Sequence, residues 1–278
     1  MIPRTIQLLR ETLYERHPYR LNVLGSEKTI TRIGRRDLLS YYQKYVLPQN
    51  LVLAVVGDAG WGEVKESVTE AFQEMPRGSL SPPSIPQEVR EEGIDKREET
   101  VPGRQQAHIA LGFLGTTIQD GDRFPLEVLE AALGGQGGRF FTQLRDKEGL
   151  AYVTAFFVRA DLDPGYLGVY LATDPSKAAR ALQGIEGILQ AVREQGITQE
   201  ELDRAKSYLI GNHAIGLQGP LAMAATIAFD ERYGLGGGFY RRYPEEIEKV
   251  NKEDVLRVAR RYIDMDSYAL VIVHPSSP

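Results

Sequence analysis

The sequence predicts an α+β fold made of duplicated units, each with helices packed on one face of a mostly antiparallel sheet. Short apolar runs typical of strands alternate with segments whose apolar residues recur at helical spacing. Two of the apolar runs are joined by a short turn around Asp163-Pro164-Gly165, which favours an antiparallel hairpin. One helix-then-strand pair recurs later in the chain, which indicates an internal duplication.

Composition limits the classes of function. The chain of 278 residues is long enough for two domains, and its 42% hydrophobic and 26% charged residues are ordinary for a globular protein. A net charge of −5 argues against a nucleic-acid partner, which usually requires a basic stripe. No apolar run approaches the ~20 residues of a membrane helix, so no membrane association is expected. The absence of cysteine excludes disulfides and thiolate metal sites and fits a cytosolic protein, but the choice between cytoplasm and periplasm stays open.

A proline-rich stretch divides the chain. Residues 77–96 contain Pro82, Pro83 and Pro86, are dominated by Glu, Arg and Ser, and lack apolar periodicity, which predicts an exposed linker. We therefore expect residues 1–76 to form the C-terminal part of a first α/β unit. Residues 97–278 are expected to form a complete second α+β unit.

The secondary structure predicted before the linker is helical at both ends. Apolar spacing predicts helices over residues 36–45 and 64–75. The run 51–56 between them is continuously apolar and is closed by Gly57-Asp58. This pattern predicts a strand that is buried on both faces.

The second unit is predicted to contain four strands and several capped helices. The strands are predicted over residues 107–113, 153–158, 166–172 and 268–273, and a helix over residues 124–133. Three further helices begin after capping residues. These are Asp174 followed by a proline, Thr198 in a capping box with Glu201, and Asn251.

The repeated pair consists of a helix and the strand that follows it. Asp37 and Tyr45 in the first helix match Asp254 and Tyr262 in the second, at one constant offset of 217 residues. If the two units are equal in length, the first would begin about 120 residues before Met1. The first unit is therefore predicted to be incomplete.

The most specific pattern is GGRFFTQLRDKEGLAY, residues 137–152, which contains Leu-Arg and then a tyrosine seven residues after the arginine. With His17-Pro18-Tyr19 and the run 45–58, it resembles the pitrilysin/insulinase family of zinc metallopeptidases, the inverzincins, over essentially the whole chain. The resemblance implies that Arg145 and Tyr152 bind the substrate backbone and the transition state. It also implies that Gly137 and Gly138 lie in a loop near this site.

Elementary chemistry is consistent with these roles. A guanidinium such as that of Arg145 presents a fork of donors to a peptide carbonyl or carboxylate, and a phenol such as that of Tyr152 can donate to a developing oxyanion. Gly149 is expected to end the helix and turn Tyr152 toward the substrate. On spacing alone, an ordinary surface arginine and a core tyrosine explain the pair better, and it is the flanking motif and the family resemblance that favour the functional interpretation. The Gly-rich loop lacks the Lys-Ser/Thr of a phosphate-binding loop, so we expect it to be a flexible loop.

One departure from the family pattern is decisive. The family requires His-x-x-Glu-His on a helix, in which the histidines bind zinc and the glutamate activates water. The four histidines here, His17, His108, His213 and His274, have no such spacing, so no metal ligand and no residue catalytic in zinc chemistry is assigned. We expect zinc to belong to another half, on the same polypeptide or on a partner subunit.

Three functions remain as hypotheses. The first is the substrate-binding, non-zinc portion of a zinc endopeptidase that cleaves peptides or small unfolded proteins, inactive when isolated. The alternative is a non-catalytic scaffold or assembly subunit, which has no need of Arg145 and Tyr152. A self-sufficient serine hydrolase is weakly supported, because the Gly-x-Ser-x-Gly motif is absent. The expected partners are a peptide substrate and the zinc-bearing half, and a homodimer stays open.

Overall fold

The computed structural model describes residues 1–79, 83–89 and 92–276. Contacts within the chain divide it into two compact units. Unit 1 comprises Met1–Leu21, Pro86–His213 and Arg241–Pro278, and unit 2 comprises Asn22–Ile85 and Ala214–Tyr240.

This division does not follow the predicted boundaries. Residues 1–21, which were predicted to belong with the first unit, are part of unit 1 together with most of residues 97–278. Residues 214–240, which were predicted to belong to the second unit, are part of unit 2. Of the predicted linker 77–96, residues 80–82, which include Pro82, and residues 90–91 lie outside the described residues.

The predicted α+β class is confirmed. The strands are β1 (Ile94–Val101), β2 (Ala107–Leu114), β3 (Val153–Arg159), β4 (Tyr166–Thr173) and β5 (Tyr268–Pro275). The helices are α1 (Ile2–Leu13), α2 (Glu27–Ile30), α3 (Arg35–Tyr45), α4 (Trp61–Phe72), α5 (Arg123–Leu133), the π-helix (Phe140–Lys147), α6 (Ala178–Gln195), α7 (Gln199–Gly216), α8 (Pro220–Arg232), α9 (Phe239–Lys249) and α10 (Lys252–Tyr262). No helix in the described ranges is both long and apolar enough to cross a membrane.

Unit 1 is built on a five-stranded sheet with the order β1-β5-β2-β4-β3. β1 runs parallel to β5, and the other neighbouring pairs are antiparallel. The mostly antiparallel sheet and the hairpin of β3 and β4 are therefore as the sequence predicts. The capping predictions also hold, since the Asn251 side chain accepts the Asp254 N–H and the Thr198 side chain accepts the Glu201 N–H.

Both faces of the sheet are covered, which corrects the prediction that helices pack on one face only. Helices α5, α6 and α10 and the π-helix pack with Ile109, Leu111 and other core residues on one face. On the other face, α1 contributes Leu9 and Leu13. The reason lies in β2, which is apolar at positions pointing to both faces, so both faces require cover. Gly112 leaves space for Leu9, because a Cβ there would come within 3.0 Å of Leu9 Cδ2.

In unit 2, the predicted helices at residues 36–45 and 64–75 are confirmed as α3 and α4. The cap of α3 supports the duplication. The N–H of Gly34 donates to Asp37 Oδ2 over 2.9 Å, and the N–H of Asn251 donates to Asp254 Oδ2 over 3.1 Å. Both residues of the second cap lie 217 positions after their counterparts, so the offset found in the sequence also relates two hydrogen-bonded caps.

The prediction of a buried strand at residues 51–56 is wrong. The segment forms no strand, and Leu51, Val52, Leu53 and Val55 are exposed. A strand exists through hydrogen bonds to a neighbouring strand. The described residues of unit 2 contribute no second strand to pair with this run.

Candidate substrate-binding site

Arg145 lies on the π-helix, whose wide turns are rare and occur frequently at functional sites. Two buried residues fix this helix. Phe140 stacks on Phe156 of β3, with ring centroids 5.9 Å apart. Leu144 packs against Gly184 of α6, where a Cβ would come within 2.6 Å of Leu144 Cδ2. The helix is therefore held between the sheet and α6, with Arg145 on its exposed side.

The Arg145 guanidinium stacks over an aromatic ring of its own helix. Its Cζ lies 4.8 Å from the centroid of the Phe141 ring, four residues earlier. A cation over the face of an aromatic ring is attracted by the ring quadrupole. The guanidinium of an exposed arginine offers a fork of N–H donors that suits a carbonyl or a carboxylate.

Tyr152 follows the π-helix after a tight turn. The helix ends at Lys147, and Gly149 has a φ of +59°, a conformation that favours glycine. The Tyr152 backbone is fixed because its N–H donates to the carbonyl oxygen of Ala172 over 2.9 Å. Its side chain is 53% exposed, so it is not the core aromatic that spacing alone allowed. Binding of substrate by Arg145 and Tyr152 stays a prediction.

The two predicted loop glycines, Gly137 and Gly138, differ in how closely they are packed. A Cβ on Gly138 would lie 2.1 Å from the carbonyl oxygen of Leu133 and 2.2 Å from that of Gly134, at the end of α5. Gly137 is exposed, and a Cβ there would meet the Arg204 side chain at ordinary contact distance. Gly138 therefore allows the backbone to turn tightly from α5 into the π-helix.

Arg139 is a structural residue of this segment that the sequence did not reveal. Its Nε and one terminal nitrogen each donate to a carboxylate oxygen of Glu201 over 2.6 Å, and the latter nitrogen also donates to Gly196 O. Burial by itself raises the pKa of Glu201, but hydrogen bonds from Arg139 and from the Thr198 N–H outweigh it and lower that pKa. The capping box signalled Glu201, whereas no local pattern pointed to its arginine partner 62 residues earlier.

A cavity of about 230 Å³ lies between the π-helix and α6. Its polar lining comes from Arg139, Gln143 and Glu148, and its floor includes the small residues Gly184 and Gly187. Arg145 and Tyr152 do not line it. The cavity is thus separate from the predicted substrate-binding pair, which is open to solvent.

The histidines do not assemble a metal site. His17 Nε2 lies 3.2 Å from Asp163 Oδ2, and its Nδ1 accepts the Tyr19 N–H, while His108 Nδ1 lies 2.5 Å from the Tyr170 hydroxyl. The other two lie against Tyr243 and Glu98 respectively. Across the described ranges, no group of three or more His, Cys, Asp or Glu side chains is placed to hold an ion. The donors of the described residues therefore do not fit zinc.

A family model described as the peptidase M16 inactive domain matches residues 32–209, more than half of the chain. The chain belongs to the M16 peptidase family. The resemblance to pitrilysin and insulinase-like zinc peptidases is thereby confirmed, and the matched model is described as an inactive domain.

Relatives named zinc proteases and a solved M16 domain cover between 75% and 99% of this chain. An uncharacterized zinc protease of Streptomyces coelicolor is 31% identical over 218 residues, which is 75% of this chain and 47% of the relative. An uncharacterized zinc protease of Bacillus subtilis is 27% identical over 273 residues, 97% of this chain and 64% of the relative. The solved peptidase M16 inactive domain of Pseudomonas fluorescens has a TM-score of 0.88 at 22% identity, covering 99% of this chain and 65% of that one. The M16 chain thus spans about half to two thirds of the length of these proteins.

Proposed function

We propose that the chain is the substrate-binding, zinc-free portion of a zinc-dependent endopeptidase that cleaves peptides or small unfolded proteins. The main support for this proposal is that Arg145 and Tyr152 are both exposed on one short segment whose backbone is fixed by hydrogen bonds. A site that must be pre-organised for binding benefits from a rigid backbone and free side-chain donors. Isolated, the chain has no peptidase activity in this proposal, because the donors in the part of the chain that the structure describes do not fit zinc.

The two side chains supply complementary chemistry. The Arg145 guanidinium donates in a fork to a substrate carbonyl or carboxylate. The Tyr152 hydroxyl donates to the oxygen that gains negative charge when the scissile carbonyl is attacked. Zinc held by the other half supplies the activated water. The residues of this chain bind and orient the peptide.

An exposed apolar run in unit 2 supports a protein partner. Residues 51–56 precede by 217 positions the start of β5, which lies between β1 and β2 and is largely buried. Leu51, Leu53 and Val55 are exposed instead. An exposed apolar run that is not part of a sheet is suited to strand addition. We infer that the zinc-bearing half, on the same polypeptide or a partner subunit, supplies the neighbouring strands.

The activity test uses the chain combined with its zinc-bearing half and a fluorogenic peptide. Arg145→Ala and Tyr152→Phe should each lower kcat/KM at least about tenfold, because each removes a donor used in the transition state. Lys147→Ala, an exposed basic residue at the end of the same helix, is the matched control and should leave kcat/KM unchanged. Unchanged cleavage in both Arg145→Ala and Tyr152→Phe rejects the substrate-binding role. Absence of cleavage of any peptide by the intact complex favours the scaffold alternative.

The partner test measures complex formation by light scattering after size exclusion. Leu53→Lys should weaken association with the zinc-bearing half, whereas Val23→Lys, at another exposed apolar position in unit 2, should not. A homodimer of the isolated chain that Leu53→Lys disrupts would assign the run to a second copy instead.

Metal analysis of the isolated chain should find well below one equivalent of zinc, and stoichiometric zinc contradicts the proposal.

A further inference from the structure

The turn that joins Arg145 to Tyr152 is closed onto the π-helix by three backbone hydrogen bonds. The N–H of Glu148 donates to Gln143 O over 3.0 Å, that of Gly149 to Arg145 O over 3.1 Å, and that of Leu150 to Leu144 O over 2.7 Å. These bonds use the donors of the turn. The carbonyl oxygen of the buried Leu150 needs a partner from elsewhere, since buried carbonyl groups are almost always hydrogen-bonded.

Two side chains from the end of β4 and the turn after it supply those partners. Thr173 is fully buried, and its Oγ1 donates to the carbonyl oxygen of Leu150 over 2.6 Å. The ammonium group of Lys177 donates to the carbonyl oxygen of Gly149 over 3.0 Å. Consecutive carbonyls of the turn are thus each held by one side chain.

The β4 end is itself fixed, so it can serve as a reference for the turn. Thr173 pairs with Ala107 of β2, and Ala172 O accepts the Tyr152 N–H. Lys177 lies in the short 3₁₀ turn Pro175–Lys177, which Asp174 caps by accepting the Ser176 N–H over 2.8 Å. The turn therefore takes its position from the end of β4, inside the sheet.

We propose that Thr173 and Lys177 are positioning residues for substrate binding, which hold the turn so that the Tyr152 hydroxyl meets the peptide in a fixed place. This inference rests on the proposed function of Tyr152. Thr173 cannot touch substrate, because it is fully buried. Its effect on the reaction passes through the backbone of Leu150 and onward to Tyr152, and a displacement of about 1 Å at a reacting group can lower a rate by orders of magnitude.

The first test is a double-mutant cycle in the complete enzyme, read as kcat/KM for a fluorogenic peptide. Thr173→Val, which keeps the shape and removes the donor, should lower kcat/KM about tenfold. In the Tyr152→Phe background, the same substitution should cost less than about twofold, because the hydroxyl it positions is gone. Thr173→Ser, which keeps the donor, should restore most of the activity.

A second variant and a second measurement distinguish a positioning effect from a loss of folding. Lys177→Met is at an exposed position, and should lower kcat/KM in the same Tyr152-dependent way, with Lys177→Arg as the conservative control. In the isolated chain, Thr173→Val and Lys177→Met should speed amide hydrogen exchange of Leu150 and Tyr152 at least about tenfold. Tyr152→Phe keeps the backbone bonds and should not change these exchange rates.

The outcomes separate the two proposals. If Tyr152→Phe lowers kcat/KM but Thr173→Val costs the same in both backgrounds, the positioning role is overturned and the proposed function stands. Unchanged amide exchange in Thr173→Val and Lys177→Met also overturns positioning, whatever the activity. If Tyr152→Phe has no effect on kcat/KM, the positioning role falls, and if Arg145→Ala has no effect either, the proposed function falls with it.

Discussion

Arg139 and Glu201 form a bidentate ion pair with two nitrogen–oxygen distances of 2.6 Å. This pair joins the start of the π-helix to the start of α7. Both side chains are largely buried. Arg139→Ala leaves the carboxylate without its main partner, so we expect a loss of about 3 kcal/mol in the free energy of unfolding. Urea unfolding at neutral pH measures it. Arg180→Ala, which removes an exposed 3.5 Å pair with Glu148, should change stability by less than about 1 kcal/mol, and an equal loss in both variants would contradict the assignment.

Asp122 is a buried carboxylate that should make unit 1 more stable at neutral than at acid pH. Its oxygens accept hydrogen bonds from Arg257 and Arg261, each over 2.7 Å, and from the Tyr262 hydroxyl over 3.0 Å. Burial raises the pKa of Asp122, but the hydrogen bonds from Arg257 and Tyr262 and the charges of both arginines outweigh it, and the net pKa is lowered. A lowered pKa contributes stability above the unfolded value of about 3.9, and this stability is lost as the pH falls through the folded pKa.

We therefore expect Asp122→Asn to lower the free energy of unfolding by about 2 kcal/mol at pH 7. The difference from the unsubstituted chain should shrink below about pH 4, as the native carboxylate is protonated. Chemical denaturation at pH 7 and at pH 3 provides the comparison. Asp203→Asn, on the surface of α7, should show no such pH-dependent loss. A deficit in Asp122→Asn that persists undiminished at pH 3 would count against the ionic role.

Glu127 is a buried carboxylate that, unlike Asp122, should make unit 1 less stable at neutral than at acid pH. Burial raises its pKa, and the partial opposing effects come from the Tyr243 hydroxyl, which donates to Glu127 Oε2 over 2.7 Å, and from the charges of Arg123 and His213. A raised folded pKa gives stability that is fully present below the unfolded value of about 4.3 and is lost as the pH rises through the folded pKa. The ionised form is the one that burial penalises.

Glu127→Gln, which is neutral at every pH, should therefore raise the free energy of unfolding by about 1 kcal/mol or more at pH 8. The gain should vanish near pH 4, where the native glutamate is protonated. Thermal unfolding at the two pH values measures the difference, with exposed Glu200→Gln as the control. Destabilisation by Glu127→Gln at pH 8 would mean that the carboxylate is needed in its charged form.

Gly138 and Gly137 form a matched pair of adjacent residues with different surroundings. Gly138→Ala places a Cβ 2.1 Å from a backbone carbonyl that cannot move without shifting α5, so we expect a loss of at least about 2 kcal/mol. Gly137→Ala meets only the side chain of Arg204, at 3.6 Å, and should change stability by less than about 0.5 kcal/mol. Thermal unfolding of the two variants checks the contrast, and similar melting temperatures would show that the loop yields.

Local patterns predicted much of unit 1, because local interactions decide its elements. Asn251 and Thr198 correctly predicted where two helices begin, because each side chain accepts a hydrogen bond from a residue only three positions later. The hairpin of β3 and β4 followed from turn chemistry. The prediction of a buried strand at residues 51–56 was wrong, because strand formation depends on a neighbouring strand that no local pattern specifies.

The candidate site divides in the same way. The spacing of Arg145 and Tyr152 and the turn at Gly149 are visible in the sequence, because they lie within a few residues of one another. The long-range partners are not visible. Leu150 O receives the hydroxyl of Thr173, 23 residues later, and neither residue carries a pattern that announces the other.

By itself, the sequence determined the family resemblance, the α+β class, the 217-residue duplication and the segment that carries Arg145 and Tyr152. Only the tertiary structure decided that α1 covers the second face of the unit 1 sheet, that residues 51–56 form no strand, and that Thr173 and Lys177 hold the turn before Tyr152. The physical reason is range. Periodicity, capping and turn chemistry act over a few residues, whereas sheet pairing and buried hydrogen bonds join groups that meet only after the chain has folded.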